Sequence, residues 1–139
     1  MYRILSLASK IVSAGNTFIT SKLKESNCGQ LAPSHGDILA VLYQYKKVTM
    51  QDLAEKIGKT KPTVTVLVNK LEKLGFVKRE KSTADSRITY IRLSAQGLAF
   101  KPTFTKISKE LDKILFKNFT KEELAQLDAM LAKILKNTH

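Results

Sequence analysis

The sequence has few of the residues on which several classes of protein depend. Of its 139 residues, one is a cysteine, three are prolines, six are glycines and none is a tryptophan. The single Cys28 excludes an intramolecular disulfide framework and a zinc site built from cysteines alone. No apolar run approaches the roughly 18 residues that span a bilayer. Hydrophobic residues make up 43% of the chain, which is too many for a disordered or fibrous protein.

Sequence motifs of targeting and catalysis are also absent. The first nine residues superficially resemble a signal peptide, but Lys10 interrupts the apolar stretch and the helical spacing continues past it. We therefore expect a cytoplasmic protein that does not bind membranes. There is no Gly-rich phosphate loop, nucleophile elbow or H-E-x-x-H motif, so we expect neither an enzyme nor a cofactor. Two histidines and one cysteine are a poor set of metal ligands, and we expect no metal site.

Acidic residues are scarce relative to basic ones. The 24 Lys and Arg exceed the 12 Asp and Glu and give a net charge of +12. The charge is +7 over residues 46–92, against +2 over residues 1–45 and +3 over residues 93–139. Concentration of positive charge in one segment is the usual footprint of phosphate binding, so we expect double-stranded DNA as the partner. The alternative is a lysine-rich surface that serves only solubility.

Apolar spacing and turn residues predict the order of elements. Helices are expected over residues 3–27, 35–45, 50–57, from Thr60 or Lys61 up to Gly75, over 95–117 and over 121–137. Pro102 should displace the start of the helix over 95–117 or kink it. Strands are expected over 76–81 and 88–93. The predicted N-caps are Ser34, Thr49, Ser94 and Thr120, and Gly58 is expected at positive φ. This order predicts a mainly α fold with a small β-hairpin wing, in which a winged helix-turn-helix domain (34–97) lies between an N-terminal helix (1–33) and C-terminal helices (98–139).

The helix before the hairpin has one apolar face and one face without acidic residues. A helix of this width fits the major groove, where Thr65 and Val66 can contact thymine methyl groups and Asn69 can pair with adenine. Lysines around it suit phosphates. The residues expected to contact DNA here are Lys59, Lys61, Pro62, Thr63, Thr65, Val66, Asn69, Lys70 and Lys73. The alternative is a face that is merely solvated.

The hairpin adds Lys81, Asp85 and Arg87 to the expected DNA contacts. An arginine at the tip of a wing can enter the minor groove, where the negative potential is strongest over narrow A·T-rich tracts. Asp85 is expected to be an intramolecular partner that orients an arginine or holds the turn. The alternative is an ordinary turn aspartate.

The wing carries a specific pattern. D-S-R at 85–87, followed after five residues by L-S-A-Q-G at 93–97, resembles the wing signature of the MarR family of transcription regulators, and residues 48–54 and 63–77 are similar to its helix-turn-helix. The resemblance extends over essentially the whole chain. It implies a homodimeric winged-helix protein, usually a repressor, often released from DNA by a small phenolic or anionic ligand or by oxidation. It also implies Arg87 in the minor groove and residues 62–70 in the major groove; Ser94 stands where the family usually has threonine.

The outer helices carry apolar stripes that are too long for the core of one small domain. We expect them to form a helical bundle between two subunits, which would present two recognition helices to a palindromic site. The alternative is a helical pair within one chain. The residues expected at the dimer interface are Ile4, Leu7, Ile11, Phe104, Ile107, Leu111, Leu124, Leu127, Leu131 and Ile134.

A few residues have weaker interpretations. His35 and Tyr43, with Tyr45, are candidates for a pocket that holds a small effector; the alternative places Tyr45 in the core and leaves the other two partly exposed. Oxidant-sensing MarR relatives carry a thiol at the start of their first helix, a position that Cys28 does not match, so we expect Cys28 to be a spectator. Rival functions are non-specific or architectural DNA binding, a winged-helix module that binds protein, and binding to a membrane surface.

Overall fold

Seven helices and three strands form the fold of the computed structural model, which describes all residues from 1 to 139. In chain order they are α1 (Ile4–Glu25), α2 (Pro33–Gln44), β1 (Val48–Thr49), α3 (Met50–Ile57), α4 (Lys61–Lys73), β2 (Val77–Lys81), β3 (Thr89–Leu93), α5 (Ala95–Ala99), α6 (Lys101–Leu115) and α7 (Lys121–Lys136). The predicted fold class, mainly α with a β-hairpin wing, is confirmed.

The sheet has one strand more than the sequence predicted. Its order is β1-β3-β2, antiparallel throughout, and Val48 pairs with Ile91. The sequence predicts no strand at residues 48–49, because a two-residue strand is too short to show alternation. Only the neighbouring β3 makes it a strand.

The chain divides into two units, Met1–Ile107 and Ser108–His139, and the division falls inside α6. In the first unit α2, α3, α4 and β3 each contribute fully buried apolar side chains, namely Ile38, Leu53, Val64, Leu71 and Ile91. No residue of the second unit is buried. The first unit therefore contains the hydrophobic core.

Local capping determines where most helices begin. The side chains of Thr49, Ser94 and Thr120 accept hydrogen bonds from the N–H groups of the residues three positions on, as predicted. Thr60 does the same for α4, and Gly58 ends α3 with a φ of 67°. A left-handed residue at this place suits glycine, because it has no Cβ to clash. The turn between α3 and α4 is thus encoded locally.

Two predicted helix boundaries need correction. Ser34 does not cap α2, which begins at Pro33; instead Ala32 donates its N–H to Nδ1 of His35 over 2.9 Å. The single helix expected over residues 95–117 is two helices, α5 and α6. Pro102 lies in the first turn of α6, where its missing N–H costs nothing, whereas inside a continuous helix its ring would clash with a carbonyl of the preceding turn.

Candidate nucleic-acid interface

The two faces of α4 differ in the way the sequence predicts. Val64, Val68 and Leu71 are buried against the core. The opposite face is exposed and consists of Pro62, Thr63, Val66, Asn69, Lys70 and Lys73, while Thr65 is half-buried at its edge. Val66 is 68% exposed, although it is an apolar residue in a helix that has a core to pack against. Packing within the chain does not account for this side chain, which is consistent with a contact to another molecule.

Hydroxyl groups at the start of α4 are partly engaged by the helix itself. Thr60 accepts from the N–H of Thr63 and donates its hydroxyl hydrogen to Thr63 Oγ1. Thr65 donates to the carbonyl of Lys61 over 2.9 Å. Because its hydroxyl is satisfied inside the helix, Thr65 is suited to an apolar contact through its methyl group, as expected from the sequence.

The cations near α4 are not equivalent. Lys59 lies 4.0 Å from Oδ2 of Asp37, so one predicted phosphate ligand has an acidic neighbour. Lys61, Lys70 and Lys73 are exposed on α4 itself. Together with the N-terminal N–H groups of the helix, these three place positive potential along the exposed face.

Asn69 is placed differently from the expectation. Its Oδ1 accepts a hydrogen bond from Nη2 of Arg79, on β2, and Arg79 also donates from Nε to Glu72 over 3.2 Å. Two-point pairing of Asn69 with adenine would need that same oxygen as an acceptor. The expected pairing with adenine therefore has a competitor, because a guanidinium of the same chain already donates to that oxygen, and the pairing stays a prediction. The signal was Glu72, an acidic residue on the flank of an otherwise basic helix, which predicts a cationic neighbour.

At the wing tip, Asp85 binds Arg87 through both carboxylate oxygens. Oδ1 accepts from the backbone N–H and Nε of Arg87, and Oδ2 accepts from Nη2 over 3.0 Å. The hydrogen bond from the Arg87 side chain lowers the pKa of Asp85, and the same contact raises the pKa of Arg87. The Arg87 side chain nevertheless remains 88% exposed, so Asp85 orients a cation that points into solvent. Lys81, at the end of β2, is also exposed.

A second cluster lies on the outer face of the sheet and escaped the sequence analysis. Arg92 Nη1 lies 3.0 Å from Oε1 of Glu80, and Lys47 Nζ lies 3.7 Å from Oε2 of Glu80 and 4.4 Å from the centre of the Tyr90 ring. The hydrogen bond from Arg92 lowers the pKa of Glu80. Glu80 pairs with Tyr90 in the ladder and Lys78 with Arg92. The tertiary structure thus shows that two partly exposed cations of the basic segment, Lys47 and Arg92, are paired with an acid of the same chain.

The two candidate pocket residues have partners inside the protein. His35 is buried, and burial, followed by the charge of Lys70, lowers its pKa. The hydroxyl of Tyr43 donates to the carbonyl of Gly97 over 2.7 Å, and burial raises the pKa of Tyr43 to about 12. Tyr45 is exposed, with Lys56 4.4 Å from its ring centre, so the alternative that placed it in the core is wrong.

An open cleft of about 830 Å³ runs along α1 instead, and neither His35 nor Tyr43 lines it. Its walls are rich in hydroxyl and amide groups, including those of Ser9, Ser13, Asn16, Thr17 and Thr20.

The apolar residues of the outer helices fall into two groups. Ile4, Leu7 and Ile11 on α1 are exposed, and so are Leu131 and Ile134 on α7. Half-buried positions are Leu111, Leu124 and Leu127. Two residues assigned to the dimer interface need correction: Ile107 is buried in the core of the single chain, and Phe104 packs on that core, with its ring centre 5.1 Å from that of Tyr43.

The remaining observations concern metal ligands, membrane-spanning helices and the single cysteine. No three His, Cys, Asp or Glu side chains are grouped so that they could hold a metal ion. None of the helices has the length and apolar character required to cross a bilayer. Cys28 is half-buried, and its thiol lies 3.4 Å from the carbonyl of Ser26.

Comparison with known proteins finds similarity to one family of transcriptional regulators. Residues 31–89 match the model of the MarR family. The uncharacterized HTH-type transcriptional regulator YdgJ of Bacillus subtilis (strain 168) is 29% identical over 115 residues, which cover 83% of this chain and 70% of YdgJ. The crystal structure of Staphylococcus aureus MepR in complex with DNA aligns over 99% of both chains with a TM-score of 0.85 and 27% identity. A mutant of MarR from Escherichia coli, complexed with operator DNA, aligns over 94% of this chain and 91% of its own with a TM-score of 0.81; at 20% identity this likeness concerns the fold alone.

Proposed function

We propose that this chain is a transcriptional regulator of the MarR family, rather than an enzyme, and that it binds duplex DNA sequence-specifically as a homodimer. The observation that carries the proposal is the exposed face of α4. It combines uncharged groups that suit base edges, Thr63, Thr65 and Val66, with lysines at its margins. Phosphate contacts supply affinity, whereas contacts to base edges supply specificity, and this face offers both.

The proposed docking places α4 in the major groove and the wing over the adjacent minor groove. Lys61, Lys70 and Lys73 neutralise phosphates on either side of α4. Arg87, exposed and oriented by Asp85, enters the minor groove. Structures of MepR with DNA and of a MarR mutant with operator DNA show that this fold is used on duplexes in those two proteins.

The proposed dimer is supported by the exposed apolar faces of the outer helices. Ile4, Leu7 and Ile11, and separately Leu131 and Ile134, are large apolar side chains that no part of the same chain covers fully. Clusters of this kind on a folded chain mark an interaction surface. A two-fold dimer would hold two copies of α4 about one turn of DNA apart, roughly 34 Å, and would require a pseudo-palindromic operator.

Repression, release by a small-molecule effector and a cytoplasmic location complete the proposal. Their support is the family, because regulators of this kind act by occupying an operator. His35 and Tyr43 already have hydrogen-bond partners inside the chain, so the effector would have to displace these or use a different site.

The test is selection from a library of randomised duplexes, followed by binding measurements on the selected sequence and on a scrambled duplex at several salt concentrations. We expect a pseudo-palindrome that binds at least about 10³-fold more tightly than the scrambled duplex. Equal affinity for both would indicate an architectural DNA-binding protein. Absence of salt-dependent binding would indicate a module that binds protein. Sedimentation equilibrium on the same sample should show a dimer.

A further inference from the structure

The amide group of Asn69 is held by a residue of the wing. Arg79, on β2, donates from Nη2 to Oδ1 of Asn69 and from Nε to Oε1 of Glu72. Both acceptors lie on α4, so one guanidinium joins the wing to the helix proposed to enter the major groove. The side chains of Arg79 and Glu72 are 34% and 42% exposed, which places the contact at the surface beside the base-contacting face.

The chemistry of arginine determines which way this amide is turned. A guanidinium has five N–H donors and no acceptor, so the atom of Asn69 that faces it must be the carbonyl oxygen. The Nδ2 group, with its two N–H donors, is left for a partner outside the chain.

An amide turned in this way matches one purine better than the other. In the major groove adenine presents an acceptor, N7, beside a donor, the N6 amino group, whereas guanine presents two acceptors, N7 and O6. Asparagine reads adenine because its carbonyl accepts from the amino group. Here the carbonyl of Asn69 is engaged by a cationic donor, so the amino group of adenine would meet a positive charge, while both acceptors of guanine would meet donors.

We propose that Arg79 is a positioning residue that orients Asn69 to select guanine over adenine at the base pair it faces. Glu72 in turn holds Arg79 against α4 through its carboxylate. The proposal rests on the proposed function, sequence-specific binding with α4 in the major groove, and names the base chosen at one position of the operator.

Selection from a randomised duplex library tests the proposal with three proteins: wild type, Asn69→Ala and Arg79→Met. The position that loses its base preference in Asn69→Ala is the one that Asn69 reads. At this position we expect the wild type to prefer guanine over adenine by about fivefold or more. In Arg79→Met the preference should move towards adenine by a similar factor, with all other positions unchanged.

Two further variants distinguish the orienting effect of Arg79 on Asn69 from a general effect of positive charge and from misfolding. Lys78→Met removes one positive charge from the neighbouring residue of β2 and should lower affinity for all duplexes without moving the preference. Glu72→Gln leaves Arg79 in place but removes its ionic partner, and should shift the preference towards adenine by a smaller factor. It also keeps the proposal testable if circular dichroism shows that Arg79→Met does not fold.

Several results would overturn the proposal. They are a wild-type preference for adenine at the Asn69-dependent position, absence of any Asn69-dependent position, and an unchanged preference in folded Arg79 and Glu72 variants. Uniform loss of affinity with an unchanged preference would show that the contact is purely structural. These results differ from failure of the proposed function, in which the wild type selects no sequence at all.

Discussion

The two units of the chain bury their apolar residues to very different extents. All the buried apolar side chains lie between Leu23 and Ile107, whereas no residue of 108–139 is buried. Yet α4 in the first unit and α7 in the second show the same helical spacing of apolar residues. Spacing of this kind shows that an apolar face must be buried. It does not show whether the same chain or another one buries it.

The largest effect is expected in the core of the first unit. Leu71, on α4, is fully buried, so Leu71→Ala should lower the free energy of unfolding by about 2–5 kcal/mol through lost burial and a residual cavity. Val66→Ala in the same helix is the matched control and should change it by less than about 0.5 kcal/mol. Urea denaturation measures both. Similar losses of stability in the two variants would contradict the division of α4 into a buried face and an exposed face.

The next effect concerns the second unit. Leu131, 50% exposed on α7, should lie in the dimer interface, so Leu131→Lys should raise the dissociation constant of the dimer at least about tenfold, or ~1.4 kcal/mol. Gln126→Lys adds the same charge to the same helix and should have little effect. Sedimentation equilibrium distinguishes them. An unchanged dissociation constant of the dimer in Leu131→Lys would show that this apolar face is not buried in the dimer interface.

A comparable effect on binding is expected at the wing. Arg87→Ala should weaken operator binding about tenfold, chiefly at sites with A·T-rich flanks, because the side chain is proposed to enter a narrow minor groove. Lys70→Ala should instead weaken binding to all duplexes and reduce the salt slope by about one. Fluorescence anisotropy on duplexes with different flanks checks this. If Arg87→Ala weakens binding equally to duplexes with A·T-rich and with G·C-rich flanks, Arg87 contacts only phosphate.

The smallest effect concerns pH. The lowered pKa of His35 means that the folded chain holds this imidazole neutral. Its Nδ1 must carry no proton, because it accepts the N–H of Ala32. Below about pH 6.5 the unfolded chain takes up the proton first, so stability is complete above that pH and falls as the pH decreases towards the folded pKa.

His35→Gln keeps an acceptor at the same helix position but does not titrate. The difference in stability between about pH 7.5 and about pH 5.5 should therefore be smaller in this variant than in the wild type. Equal differences, measured by urea denaturation, would mean that His35 is not coupled to folding.

Local signals explain what could be predicted. The caps at Thr49, Ser94 and Thr120 and the turn at Gly58 depend on residues a few positions apart, and the structure has all four as expected. The break between α5 and α6 was harder, because Pro102 allows both a displaced start and a kink. Strand β1 and the burial of Ile107 depend on distant parts of the first unit, which no short window of sequence contains.

The sequence by itself determined where the positive charge lies, which faces are apolar and where α4 begins. These features follow from composition, periodicity and capping, which act over one or two turns of chain. Only the tertiary structure decided which charges have partners distant in the sequence. Arg79 reaches Asn69 and Arg92 reaches Glu80 because β2 packs beside α4 and pairs with β3 in one register. A net charge counts such residues as equal cations, whereas their hydrogen bonds separate those that hold the wing from those left exposed to solvent.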